Sequence, residues 1–199
     1  MAADAPEAGG AAGGSADPLA EKTLETRAAY QGAFFQVVLD RVRCPDGHVG
    51  VREYIRHPGA VMVAALDPQG RVVLERQWRH PLGRSFIEMP AGKLEPGEDV
   101  LACARRELAE ETGFRAARWQ RLGAFHNAIG YSDEKIEVYL ARDLEFVGAA
   151  AEAGEVLEVF TAPLAHLLQW IADGTVTDVK TIIGAYWLER FLAQPERPA

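Results

Sequence analysis

Apolar and polar residues alternate from Phe34 to Arg43 and again from His48 to Arg56, and the Cys44-Pro45-Asp46-Gly47 stretch between them carries turn residues. Those two segments predict an antiparallel hairpin. The run Ala60 to Leu66 is almost wholly apolar, which predicts a central strand; Asp67-Pro68-Gln69-Gly70 then predicts a turn into a second hairpin with Arg71 to Arg76. A helix is expected over residues 98–112, opened by a type II turn at Glu95-Pro96-Gly97-Glu98 and closed by Gly113, with Leu101, Ala104 and Leu108 as its apolar stripe. Lys135 to Leu140 alternates as a strand, and Glu155 to Phe160 does so less cleanly. Two helices are expected to finish the chain. Thr161 caps the first, with Pro163 in its first turn and Gly174 after it; Asp178 caps the second, whose Val179, Ile182, Ile183, Tyr186 and Trp187 share a face. Hairpins interspersed with a few helices indicate a layered α/β or α+β fold with a mixed sheet.

Composition narrows the picture. With 199 residues, 48% apolar and 25% charged, the chain suits one globular domain with room for a small accessory unit. The first 20 residues lack a large apolar side chain before Leu19 and are read as a disordered tail, followed by an N-terminal β unit at 21–57 and a main domain at 58–195. A net charge of -8 argues against nucleic acid or an anionic membrane as partner. Cys44 and Cys103 lack partner spacing, so they are read as small side chains in a reducing cytoplasm; no apolar run reaches membrane-spanning length, and no secretory signal is visible.

The helix over 98–112 breaks an electrostatic rule. Glu107, Glu110 and Glu111 lie in its last two turns, where the helix dipole already presents negative charge. Glu107 and Glu111 also form an i, i+4 like-charge pair, which costs roughly 0.2–0.5 kcal/mol. All three project to one side, roughly 100° from the apolar stripe, and so are expected at the edge of a cleft. A solvated face, with Arg106 and Glu110 paired at i, i+4, is the plain alternative. Clustered carboxylates beside the Ala91-Gly92 loop nevertheless form an all-oxygen environment suited to Mg²⁺ or Mn²⁺.

Gly92, five residues, Glu98, seven residues, then Arg106-Glu107-Leu108-Ala109-Glu110-Glu111-Thr112-Gly113-Phe114 resembles the Nudix box at all seven fixed and both apolar positions. The resemblance implies an α/β/α sandwich with a mixed sheet and a metal-dependent pyrophosphohydrolase acting on a nucleoside diphosphate linked to another group. Arg76-Gln77-Trp78-Arg79, Glu88-Met89-Pro90-Ala91-Gly92, Gly130-Tyr131-Ser132-Asp133-Glu134 and the separate β unit are similar to ADP-ribose pyrophosphatases, which implies a homodimer whose chains share each substrate site. One departure stands out. Many relatives have proline beside a small residue where this chain has Asn127-Ala128-Ile129.

The resemblance implies Glu107, Glu110, Glu111 and the Ala91 carbonyl as ligands of Mg²⁺, or of Mn²⁺ in its place. Arg106 would orient those carboxylates, and Glu98 is given a structural or outer role. Arg79, Arg52, Arg84 and Glu88 are candidates for binding the substrate, a nucleoside diphosphate sugar with ADP-ribose first. Glu134 is the candidate general base, on a loop expected to swing inward when substrate binds; a solvated turn carboxylate is its plain alternative. His57, His80 and His126 are read as structural or exposed, and Tyr30, Phe34 and Trp78 as core more than base-stacking residues. Two further readings remain open: a GDP-sugar or dinucleotide pyrophosphohydrolase, and a noncatalytic nucleotide-sensing module.

Overall fold

The structure, a computed structural model, describes residues 17–149, 154 and 156–194. Strands β1 (Lys22–Gln31), β2 (Gln36–Arg43) and β3 (Val49–Arg56) form an antiparallel sheet of their own, in the order β1-β2-β3. The expected hairpin over Phe34 to Arg56 is β2-β3, with Gly47 in the left-handed conformation its turn needs. β1 was not separately read from the sequence. Most of the segment assigned to a disordered tail lies outside the described residues, while residues 17–20 form a turn leading into β1.

The main body holds two more sheets. One orders β10 (Leu157–Ala162), β5 (Val72–Arg79) and β6 (Arg84–Glu88) antiparallel. The other orders β7 (Ala91–Lys93), β4 (Ala60–Ala65), β9 (Lys135–Phe146) and β8 (Phe114–His126). It is mixed, because β4 runs parallel to β9 while the β7 and β8 pairings are antiparallel.

β4 is buried on both faces, and its alternation divides the core in two. Met62, Ala64 and Leu66 pack with Leu167, Ala185 and Leu188 of the two C-terminal helices α2 (Leu164–Ala172) and α3 (Val179–Leu192). Val61, Val63 and Ala65 pack with Cys103, Ala104 and Leu108 of α1 (Val100–Thr112) on the opposite face. That is the helix-sheet-helix sandwich the resemblance implies.

Several local expectations change. After the Asp67 turn, whose carboxylate accepts from the Gln69 and Arg71 amides, β4 and β5 meet only at the Leu66–Val72 bridge and part into different sheets. No paired hairpin forms there: β4 continues into the mixed sheet and β5 pairs with β6 and β10 instead. Thr161 lies inside β10 and does not cap α2, whose N-cap position is Pro163, with no side-chain cap. Asp178 does cap α3, accepting from the Thr181 amide at 3.0 Å. The buried face of α3 is Thr181, Gly184, Ala185 and Leu188, while Val179 and Tyr186 are exposed. Small residues let this helix approach β4 so closely that a Cβ on Gly184 would stand 2.4 Å from Met62 Cε.

Thr181 is fully buried and joins two elements: its hydroxyl donates to Asp178 Oδ2 at 2.6 Å and accepts the Met89 amide at 2.9 Å. Thr181→Val keeps the shape but strands that amide, at a cost of about 1–3 kcal/mol. The melting temperature should fall by about 3–10 °C, and Thr181→Ser should recover most of it, as followed by circular dichroism. An unchanged melting temperature in the valine variant would contradict this link.

Candidate active site

The C-terminal half of α1 points its carboxylates into an open cleft of about 830 Å³. Glu107, Glu110, Glu111, Arg106, Ala91 and Gly92 line one end, and Arg79, Glu88 and Lys180 line another part of it. Asp99 caps the helix through the Ala102 amide at 3.0 Å, and Gly113 ends it in the left-handed conformation. Before the cap, the Glu98 amide donates to the Glu95 carbonyl at 3.0 Å across a turn with Gly97 at positive φ, as a type II turn requires.

Arg106 holds the acidic end together. Its guanidinium donates to Glu98 at 2.9 and 3.0 Å, to Glu107 at 2.8 Å, to Glu110 at 3.1 Å and to the Lys93 carbonyl at 3.2 Å. Glu98, given an outer role from its position, is thus the anchor of the arginine that reaches the inner carboxylates. The Arg106 bonds hold the Glu98 carboxyl down at about 2, so it stays ionised across the working range. The Glu98 contact is likewise the largest cause raising Arg106 above the ordinary arginine range. Cys103 faces the same turn, its Sγ donating to the Lys93 carbonyl at 3.4 Å, and burial pushes its thiol up to about 12.

Glu111 sits deeper than the edge position expected of it, only 4% exposed, and its Oε2 accepts the Ala91 amide at 3.0 Å. Gly92, in the short strand β7, lies against the helix: a Cβ there would stand 1.8 Å from Glu107 Cδ. Among the described residues, no three His, Cys, Asp or Glu side chains stand already converged as a cage. The donor chemistry fits a hard divalent cation even so. Three carboxylates share one side of a helix terminus, with no thiolate or imidazole among them, beside a loop cradle that any side chain would fill.

Arg79 donates to both oxygens of Glu88 at 2.7 Å, and Lys180 in the first turn of α3 binds the same carboxylate as well as Asp178. Burial pushes the Glu88 carboxyl up, but the Arg79 bonds and the Lys180 charge outweigh it and keep the group below its ordinary value. Glu88, placed among substrate contacts from sequence, is 2% exposed and is the hub that fixes two cations at the cleft. Lys180 was missed. Its helix was read for its apolar face, and only the three-dimensional pairing with Glu88 reveals its place.

Two of the arginines lie elsewhere. Arg52 is in β3, exposed and paired with Glu21, and does not line this cleft within its own chain. Arg84 stands beside the rim, donating to Thr177 Oγ1 at 3.2 Å and lying 4.3 Å over the Phe86 ring. Glu134 does line the cleft, as do His57, Asn127 and Phe34; Lys93 Nζ lies 4.6 Å over the Phe34 ring. Tyr30, Phe34 and Trp78 are exposed rather than core. The loop before β9, expected to swing, is stitched to β3: the Ile55 amide donates to the Tyr131 carbonyl at 2.8 Å and the Asp133 amide to the Ile55 carbonyl at 3.1 Å.

Gly92→Ala tests the cradle. A methyl group there must displace the Glu107 carboxylate, so turnover at this cleft should fall about tenfold or more with the melting temperature within a few degrees of wild type. Wild-type kcat in that variant would remove Glu107 from the site.

A NUDIX domain profile matches residues 56–180, and a nucleoside diphosphate sugar hydrolase N-terminal domain profile matches residues 21–55. A methanol dehydrogenase activator of Bacillus methanolicus is 37% identical over 85% of this chain and 92% of its own length. An ADP-ribose pyrophosphatase of Bacillus subtilis is 35% identical over 86% of this chain and 94% of its own length. A crystal structure of an ADP compounds hydrolase superposes with a TM-score of 0.77, covering 86% of this chain and 94% of that one at 22% identity, which shows a shared fold. A domain match across most of the chain, together with the box geometry around Arg106, places the protein in the Nudix hydrolase family.

Proposed function

We propose that this chain hydrolyses the pyrophosphate bond of a nucleoside diphosphate sugar in the cytoplasm, with ADP-ribose preferred, giving AMP and ribose 5-phosphate. The observation that carries this reading is one cleft holding both the Arg106-bound carboxylates of α1 and the Arg79–Glu88–Lys180 cluster. The activity for which the Bacillus subtilis relative is named, ADP-ribose pyrophosphatase, supports the choice of substrate.

Glu107, Glu110 and Glu111, with the Ala91 carbonyl, would hold Mg²⁺, or Mn²⁺ in its place. A divalent ion held by these residues would supply charge neutralisation at the phosphate oxygens and a more acidic bound water. Arg106 keeps Glu107 and Glu110 from turning away into solvent, and Gly92 leaves room for the carboxylate behind it. Arg79 and Lys180, fixed by Glu88, present positive charge to the diphosphate. Glu134 takes a proton from the attacking water at a carboxylate oxygen. The water oxygen then bonds to phosphorus, and the bridging P–O bond breaks with its electron pair leaving on the departing phosphate.

A homodimer completes this reading. The N-terminal sheet exposes Tyr30, Val49 and Val51, apolar surface that a second copy would cover, while Arg52, next to Val51 in β3, points to the other face of the sheet, where Glu21 holds it.

The test is a panel of ADP-ribose, GDP-mannose, NADH and diadenosine polyphosphates, assayed with Mg²⁺ and then with chelator. ADP-ribose should turn over fastest and lose activity with chelator. Glu111→Gln should fold normally and lower turnover by about 100-fold or more. Unchanged turnover in that variant, or faster hydrolysis of GDP-mannose, would overturn the assignment.

A further inference from the structure

The turn between β8 and β9 brings two residues face to face. His126 and Lys135 are the last paired residues of the two strands, so Asn127 and Glu134 are the first positions beyond that pair, one on each side. Asn127 Nδ2 donates to Glu134 Oε2 at 2.7 Å. A carboxylate is an acceptor only, so the amide must present its nitrogen there.

The backbone beneath this contact is fixed. The Tyr131 and Ser132 amides both donate to the Ala128 carbonyl at 2.9 Å, closing the turn on itself. The His57 amide adds a bond to Asp133 Oδ1 at 2.8 Å, next to the two bonds that Ile55 makes with the same loop. With its Cα so held, the direction of the Glu134 carboxylate depends on what its oxygens touch. His57 Nδ1 stands 3.5 Å from Oε1, longer than the Asn127 contact, and accepts the Gly59 amide at 3.1 Å. Asn127 gives the carboxylate its short side-chain hydrogen bond, on Oε2.

We propose that Asn127 is a positioning residue for the reaction: it engages Oε2 and leaves Oε1 as the atom that accepts the proton of water. The inference rests on the reading of Glu134 as general base. Both residues stand one position beyond the strands, on a turn whose backbone the bonds above hold in place.

A double-mutant cycle tests it on the full chain. Asn127 is exposed, so Asn127→Ala leaves the core untouched. That variant should lower kcat about tenfold with KM within about twofold of wild type, since the contact aligns a reacting group and binds no substrate. Asn127→Asp, which sets one acceptor against another, should lower kcat further, toward the level of Glu134→Gln. In the Glu134→Gln background, Asn127→Ala should cost less than about twofold. Multiplicative losses in the double variant, or a rise in KM at constant kcat, would overturn the role of Asn127 and leave Glu134 as base intact. Wild-type kcat in Glu134→Gln would instead overturn the base reading, and this inference with it.

Discussion

Carboxylates at positions 107, 110 and 111 repel one another and the carbonyl end of their own helix, and the site depends on the guanidinium that restrains them. Two unit charges 4 Å apart interact by about 4 kcal/mol at an effective dielectric of 20, a sizeable share of a domain's net stability. Arg106 offsets this by spanning Glu98, Glu107 and Glu110 at once, and its planar fork suits several simultaneous acceptors where a lysine would not. The spacing of the box follows from that geometry. Glu98 must precede the helix to meet Arg106 from outside while Glu107 and Glu110 meet it from within, and position 92 must lack a side chain for Glu107 to lie where it does.

The rest of the fold serves this end of α1. β4 divides its side chains between two cores, so α1 packs on one face of the mixed sheet and α3 on the other. The segment from Glu88 to Gly92 runs between them. Glu88 ties it to Lys180, Thr181 ties the Met89 amide to the cap of α3, and the Ala91 amide binds Glu111. Both helices are thus registered against the same five residues, and the cations of one part of the cleft are set relative to the carboxylates of the other.

Local chemistry made much of this legible in the sequence. The box spacing, the Asp178 cap, the Gly113 terminus and the uniform apolarity of β4 each name a structure by themselves. What escaped depends on partners distant in sequence. β8 mixes arginines into its alternation and bulges between Arg121 and Gly123, so its period is blurred. The turn at Asp67 looks like a hairpin because nothing local tells that β5 will enter a different sheet. Glu88, Lys180 and Asn127 acquire their places through contacts made across the fold, and the exposed loop that carries Glu134 is held by a strand of the N-terminal unit.

Soaking crystals with Mn²⁺ and a nonhydrolysable ADP-ribose analogue, and locating the metal by anomalous scattering, tests the central claim most directly. The account predicts peaks within about 2.5 Å of the oxygens of Glu107, Glu110 and Glu111, with the diphosphate beside them. Metal bound elsewhere, or nucleotide seated away from those carboxylates, would contradict it.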